Sequence, residues 1–197
     1  ARGLNILEDD CYRLSETRLP GYRMLLPDQT WYIASISKLL TPALRVGFAV
    51  APRGSDTTLR RAAEYGFFGL STPLAEMIGR LLGAASADRL VAEVRTEVER
   101  YIRVAVNTLG SYDLTWNPDV PFFWLRLPEG WRVSAFCQAA EAQGLKIRSA
   151  EDFAMRDARV PHAVRIAVNA EVTLASFEDA MLRLRRLLDK PPENIGV

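Results

Sequence analysis

The chain has 197 residues, of which 49% are hydrophobic and 25% charged, the composition of a globular protein that can bury a core. Its 25 basic and 24 acidic residues give a net charge of +1. This balance excludes the strongly basic proteins that bind nucleic acid or anionic membranes through overall charge. No apolar run approaches the ~20 residues of a membrane span, so we expect no membrane partner.

Three strands and a long helical region are predicted in the first half of the chain. Residues 4–7 form a short apolar run followed by acids, which is typical of a buried strand. Residues 31–37 and 45–50 are rich in aromatic and branched side chains and predict two more strands. Residues 15–30 contain Pro and Gly among polar residues and predict a loop. From 71 to 109, apolar residues recur at helical spacing and predict helix.

The second half predicts a compact strand–helix–strand–helix unit. Residues 122–127 form an apolar run that stops at Pro-Glu-Gly, and residues 164–168 form another, so both predict strands. Residues 133–143 predict a helix that ends at Gly144, and residues 176–188 predict an amphipathic helix.

The cysteines and the histidine predict neither a disulfide nor a metal site. Cys11 and Cys137 are far apart and form no CxxC pair, so we expect reduced thiols in a cytoplasmic protein. His162 has no partner cluster of His or Cys, so we expect no bound metal.

A set of polar side chains lies at the ends of predicted strands or inside one: Asp9, Tyr12, Ser35, Ser37, Lys38, Arg45 and Arg165. Each one alone has an ordinary structural explanation. Acids at strand ends serve turns, and an arginine in a strand packs its stem on the core while its head stays in water. Their order and spacing together favour a shared function.

These residues fall in motifs that resemble a known family. Residues 35–47, Ser-Ile-Ser-Lys-Leu-Leu-Thr-Pro-Ala-Leu-Arg-Val-Gly, resemble the lysine motif of class I and II aminotransferases. Residues 8–12 resemble the D-x-x-Y element of that family, and residues 164–166 its carboxylate-binding arginine element. The resemblance implies an α/β chain: a truncated aspartate aminotransferase-like large domain over 1–109, then a small α+β C-terminal domain over 110–197.

The resemblance implies pyridoxal 5′-phosphate as cofactor and assigns roles around it. Lys38 would be the catalytic residue, because only a primary amine condenses with the cofactor aldehyde and can then act as a general base. Asp9 would keep the cofactor's ring nitrogen protonated, and Tyr12 would hydrogen-bond its phenolic oxygen.

The phosphate and the substrate have their own predicted ligands. Ser35 and Ser37 offer hydroxyls to the phosphate and Arg45 a planar guanidinium. Alternation along a strand would place both serines on one face. Arg165 would bind the carboxylate of an amino acid ligand, as the resemblance implies.

Residues 123–131 and 87–90 resemble, more narrowly, the MocR-type regulators of the GntR family. This implies an effector domain that binds an amino acid or amine, forms a homodimer and reaches DNA only through a module absent from this chain. A free-standing aminotransferase of amino-acid metabolism uses the same residues and stays open. A fragment that only makes protein contacts is a third alternative. The effector or substrate, and whether transamination occurs, also stay open.

The family has further cofactor ligands ahead of its D-x-x-Y element: a glycine-rich turn, an aromatic ring and an asparagine. Only eight residues precede Asp9, so these ligands have no counterpart here. We therefore expect a truncated chain that binds the cofactor weakly, or not at all, when it is on its own.

Overall fold

The computed structural model describes residues 3–14, 19–66, 69–168 and 172–191. The chain divides into two compact units, Ala1–Arg95 and Thr96–Val197. The division lies inside a long helix, whereas the predicted domain boundary lies at the end of that helix. The assignment of a cofactor-binding large domain and a small domain stays a prediction.

The first unit contains a three-stranded sheet of order β1-β2-β3. Its strands are β1 (Ile6–Asp9), β2 (Thr30–Ser35) and β3 (Gly47–Val50). β1 and β2 are parallel, and β2 and β3 are antiparallel. A strand is present in all three predicted places, but β1 lies two residues later than predicted, includes Asp9 and is not buried. β2 ends before Ser37 and β3 begins after Arg45, so both of these residues lie in loops.

Four α-helices begin among the described residues of the first unit. They are α1 (Tyr22–Leu25), α2 (Asp56–Gly66), α3 (Thr72–Gly83) and α4 (Ala87–Leu109). The predicted helical region is confirmed but is broken at Ala84, whose backbone is extended at the end of α3.

The short helix α1 was not predicted, because the segment that contains it reads as a loop. Glu8 on β1 accepts hydrogen bonds from the amides of Tyr22 and Arg23 at 3.0 and 2.8 Å, which satisfies the first free amides of the helix. A Cβ at Gly21 would lie 2.6 Å from the Glu8 Oε1, so a larger residue at this position would force the Glu8 carboxylate to shift.

A small apolar cluster supports the loops at the end of the first sheet. Ile36, Val46 and Ile78 are buried together, and Leu40, Leu44 and Leu74 pack against them. Ile36 and Val46 flank the segment that carries Lys38 and Arg45, so α3 anchors this segment from both sides.

The second unit contains an antiparallel sheet of order β4-β5-β7-β6. The strands are β4 (Leu114–Trp116), β5 (Phe122–Arg126), β6 (Arg148–Ser149) and β7 (Ala163–Ala167). The two predicted strands are β5 and β7. β4 and β6 were missed because two or three residues are too few to show a period, and pairing with β5 and β7 defines them.

Two helices cover one face of this sheet: α5 (Val133–Ala142) and α6 (Leu174–Leu188). Alternate residues of the central strands point into the core, which also holds side chains of both helices: Phe123, Leu125, Val164, Ile166, Phe136, Ala140, Phe177, Met181, Leu184 and Leu188. Burial of each large apolar side chain stabilises the unit by about 1.5–3 kcal/mol.

Candidate functional site

The loops after β1 and β2 and the loop before β3 lie at one edge of the first sheet. Because β1 and β2 are parallel, their carboxyl ends meet there, and the Asp10 amide donates to the Ile33 carbonyl at 2.8 Å. β3 runs antiparallel to β2, so its first residue, Gly47, lies opposite Ser35. Most of the predicted site residues lie in or beside these loops: Asp9, Tyr12, Ser35, Ser37, Lys38 and Arg45.

Lys38 and Tyr12 are neighbours at this edge. The Lys38 Nζ lies 5.7 Å from the centre of the Tyr12 ring, within the range of a cation–π contact. Both side chains are exposed. The amine and the phenol that the sequence assigns to one cofactor therefore lie on the same surface.

Asp9 is held by a local hydrogen bond. Its Oδ1 accepts from the Cys11 amide at 2.9 Å, a turn typical of aspartate. Burial, followed by the hydrogen bond and charge of Asp9 and the charge of Asp10, raises the pKa of the Cys11 thiol to about 11. The thiol therefore stays protonated, and so weakly nucleophilic, near neutral pH.

Ser35 and Ser37 come together through a turn and not through strand alternation. Ser37 follows the end of β2, and its amide donates to the Ser35 Oγ at 3.1 Å. The two hydroxyl oxygens are 3.0 Å apart, and the Ser35 Oγ also lies 3.2 Å from the Val46 carbonyl. The prediction that they share a location is right, but the predicted reason is wrong.

Arg45 has an unusual backbone conformation. Its φ of 51° and ψ of 42° lie in the left-handed region, and among the described residues it is the only non-glycine residue with positive φ. It follows a 3₁₀ turn (Pro42–Leu44), and its amide donates to the Pro42 carbonyl at 3.3 Å. Such strain persists where the surrounding structure imposes it and is frequent at functional sites.

Arg165 lies on β7 of the second unit, in register with Trp124 of β5 and Arg148 of β6. Its guanidinium carbon lies 3.9 Å from the centre of the Phe122 ring and 4.7 Å from that of Phe153. These contacts hold the guanidinium plane in a defined orientation. A fixed planar fork suits bidentate pairing with a carboxylate.

The sequence did not point to the residues that support these groups. Phe153 lies in a segment for which the sequence predicted no helix or strand. Its ring contacts Arg165 only because the chain folds back onto β7. The partners of Asp10, which are Arg13 and Tyr32, were also missed. The sequence does show a second acid, Asp10, next to Asp9. It does not show that the two carboxylates have different surroundings.

Other kinds of site are not found in the part of the chain that the structure describes. No helix there is long and apolar enough to cross a bilayer. No group of three or more His, Cys, Asp or Glu side chains there is placed to hold a metal ion. Cys11 and Cys137 are free thiols.

Curated sequence relatives cover most of this chain. The uncharacterized HTH-type transcriptional regulator YdeF of Bacillus subtilis is 29% identical over 94% of this chain and 40% of its own length. The 2-aminoadipate transaminase of Thermus thermophilus is 31% identical over 66% of this chain and 35% of its own length. The chain thus spans less than half the length of these relatives. No protein-family model matches it.

Solved aminotransferases share the fold at low identity. The α-aminoadipate aminotransferase LysN of Thermus thermophilus, complexed with N-(5'-phosphopyridoxyl)-L-leucine, has a TM-score of 0.81 at 22% identity, over 95% of this chain and 51% of its own. The kynurenine aminotransferase of Pyrococcus horikoshii has a TM-score of 0.80 at 19% identity, over 94% and 48%. The chain therefore has the aminotransferase fold and is homologous to HTH-type transcriptional regulators, in agreement with its resemblance to the aminotransferase-like domain of MocR-type regulators.

Proposed function

We propose that this chain is part of a pyridoxal 5′-phosphate-binding, aminotransferase-like effector domain of a GntR/MocR-type transcriptional regulator. The observation that carries the proposal is the contact of the Lys38 amine with the Tyr12 ring at the edge that also holds Asp9 and Arg45. An amine, a phenol, a carboxylate and a guanidinium at one edge are a donor set that fits this cofactor.

The residues of the first unit have separate tasks in this proposal. Pyridoxal phosphate supplies, when bound, an aldehyde and a ring that withdraws electrons. Lys38 would hold the cofactor through its primary amine, and the free amine would move the proton on the α-carbon of the ligand. Asp9 holds a proton on the ring nitrogen, and Tyr12 donates a hydrogen bond to the phenolic oxygen.

The remaining residues bind anionic groups. The hydroxyls of Ser35 and Ser37, 3.0 Å apart, and the Arg45 guanidinium bind the phosphate. Arg165 of the second unit binds the carboxylate of an amino acid ligand, a role supported by the two rings that orient its guanidinium.

A free-standing aminotransferase is the alternative, and the similarity to the 2-aminoadipate transaminase favours it. The similarity to two HTH-type regulators, one of them over 94% of the chain, favours the effector domain. A homodimer in the cytoplasm and binding of DNA through a separate module belong to the same proposal. Binding of labelled DNA by the full-length protein, with a change on addition of amino acids, supports the regulator. Turnover of an amino donor with pyruvate or 2-oxoglutarate, without DNA binding, supports the enzyme.

The cofactor proposal is tested by titrating pyridoxal phosphate into the full-length protein that contains this chain. We expect a visible absorption band that saturates at one cofactor per chain and is absent in Lys38→Ala. Lys146→Ala, which removes another exposed lysine, is the matched control and should keep the band. A band of equal size in Lys38→Ala contradicts the proposal.

A further inference from the structure

The consecutive acids Asp9 and Asp10 have different surroundings. Asp9 is exposed, and its carboxylate accepts a hydrogen bond from the backbone amide of Cys11, two residues further along the chain. The side chain of Asp10 is 14% exposed, and its carboxylate makes an ion pair with the Arg13 guanidinium. The carboxylate also accepts a hydrogen bond from the Tyr32 hydroxyl on β2. Asp10 therefore has two side-chain partners where Asp9 faces solvent.

The backbone of Asp10 is tied to the same two neighbours. Its amide donates to the carbonyl of Ile33, the residue after Tyr32, at 2.8 Å. Its carbonyl accepts from the Arg13 amide at 3.2 Å, which closes the turn over residues 10–13. Tyr12 lies inside this turn, so the place of its ring depends on the turn that Asp10 closes.

The far end of the turn is also fixed. Leu14 is 1% exposed, and its carbonyl accepts a hydrogen bond from the Arg95 Nε of α4 at 2.9 Å. Burial chiefly, and then the charge and hydrogen bond of Asp10, raise the pKa of Tyr32, which agrees with a hydroxyl that keeps its proton to donate to Asp10.

We propose that Asp10 is a positioning residue: through Arg13 and Tyr32 it holds the turn that sets Asp9 and Tyr12 against Lys38. The inference rests on the proposed cofactor function. It adds Asp10, which would touch neither the ligand nor the cofactor. Asp10 would act by placing Asp9 and Tyr12, which would touch the cofactor. Removal of its charge releases the Arg13 guanidinium and loosens the turn while Lys38 itself is unchanged.

The first test needs no cofactor. The chain has three lysines, Lys38, Lys146 and Lys190, so reductive ¹³C-methylation adds only three lysine signals, besides that of the α-amine, to an NMR spectrum. The Tyr12 ring shifts the Lys38 signal, and Tyr12→Ala should remove that shift and identify it. We expect Asp10→Asn to reduce the shift of the Lys38 signal and to leave the Lys146 signal in place.

Matched variants separate positioning from a general loss of structure. Asp157→Asn removes an exposed acid of the second unit and should move no lysine signal. Arg13→Ala should act like Asp10→Asn, and Arg13→Lys, which keeps the charge, should restore most of the shift. If Asp10→Asn does not fold, Tyr32→Phe can replace it. That variant removes only the hydrogen bond to Asp10 and should also reduce the shift of the Lys38 signal.

The second test uses the full-length protein with pyridoxal phosphate. We expect Asp10→Asn to keep attachment at Lys38 but to weaken cofactor affinity about tenfold, like loss of the groups that support ligands in metal sites. The pH midpoint of the visible band should also shift. A wild-type protein that never attaches the cofactor contradicts the proposed function, and the NMR shift then decides the positioning role alone. An unchanged Lys38 signal in Asp10→Asn overturns the inference.

Discussion

The amine of Lys38 lies over the ring of Tyr12, although 26 positions of sequence separate them and each follows a different strand, Tyr12 after β1 and Lys38 after β2. The parallel pairing of β1 with β2 brings them together, because it aligns the ends of both strands at one edge. A side chain at position 38 can condense with an aldehyde only if its nitrogen can lose a proton. Lysine can do this and arginine, whose guanidinium stays protonated, cannot.

We therefore predict that Lys38→Arg keeps the fold and loses the cofactor. Arginine preserves the positive charge beside Tyr12, so the free energy of unfolding should change by less than about 0.5 kcal/mol, as for other surface substitutions. Covalent attachment should disappear, because the guanidinium stays protonated. Urea denaturation and visible absorbance measure the two effects. A visible band that survives in Lys38→Arg would contradict the assignment.

We expect the left-handed backbone of Arg45 to lower the stability of the fold and its guanidinium to bind the cofactor phosphate. Arg45→Gly should raise the free energy of unfolding by about 0.5–1 kcal/mol, because glycine adopts the left-handed region without the penalty of a Cβ. It should also weaken binding of the cofactor phosphate. Arg45→Ala is the control: it removes the guanidinium and keeps the strain, so it should weaken binding without the gain in stability. An equal stability change in both variants would refute the backbone explanation.

The Cys11 thiol should react slowly in the folded chain. Its pKa is raised from 9.0 to about 11, so alkylation near pH 9 should be slower in the native state than in urea and should accelerate toward pH 11. A Cys137→Ser background isolates this thiol. Asp9→Asn should speed alkylation of Cys11, because it removes one charge that disfavours the thiolate. Asp157→Asn should not.

The same shift has a consequence for stability. The native state keeps the Cys11 proton to a higher pH than the unfolded chain does, so this thiol stabilises the fold below pH 9.0. That contribution is lost as the pH rises toward about 11. In the Cys137→Ser background, Cys11→Ser should therefore flatten the fall in stability between these pH values, measured by thermal denaturation. An identical fall with and without Cys11 would contradict the raised pKa.

The core of the second unit should depend on side-chain burial and not on aromatic character. Phe123 is 1% exposed, so Phe123→Ala should destabilise the chain by about 3–5 kcal/mol. Phe153 is 47% exposed and Phe153→Ala should cost much less, although it removes a ring beside Arg165. Urea denaturation of the two variants makes the comparison. Equal losses would mean that the core is not where the structure places it.

The sequence predicted elements whose own residues carry a strong pattern. β2, β5 and β7 have runs of apolar and aromatic residues, and the long helical region has a clear period. The two-residue strand β6 carries no pattern, because its partner strand defines it.

The same limit applies to the candidate site. The order of Asp9, Lys38 and Arg45 could be read from the motifs, and the parallel pairing of β1 and β2 explains why the motif loops meet. The left-handed backbone of Arg45 was not predicted, because arginine has no preference for it. The contact of Phe153 with Arg165 depends on a short 3₁₀ helix (Ala150–Phe153) that packs beside β7, and local sequence did not predict this helix.

We predict that Lys38, and not another exposed lysine, holds the cofactor. The most direct measurement is borohydride reduction of the full-length protein with pyridoxal phosphate, followed by mass spectrometry of its peptides. We predict a pyridoxyl group on Lys38, with Lys146 and Lys190 unmodified. Equal labelling of Lys38, Lys146 and Lys190, or a label only elsewhere than on Lys38, would contradict this prediction.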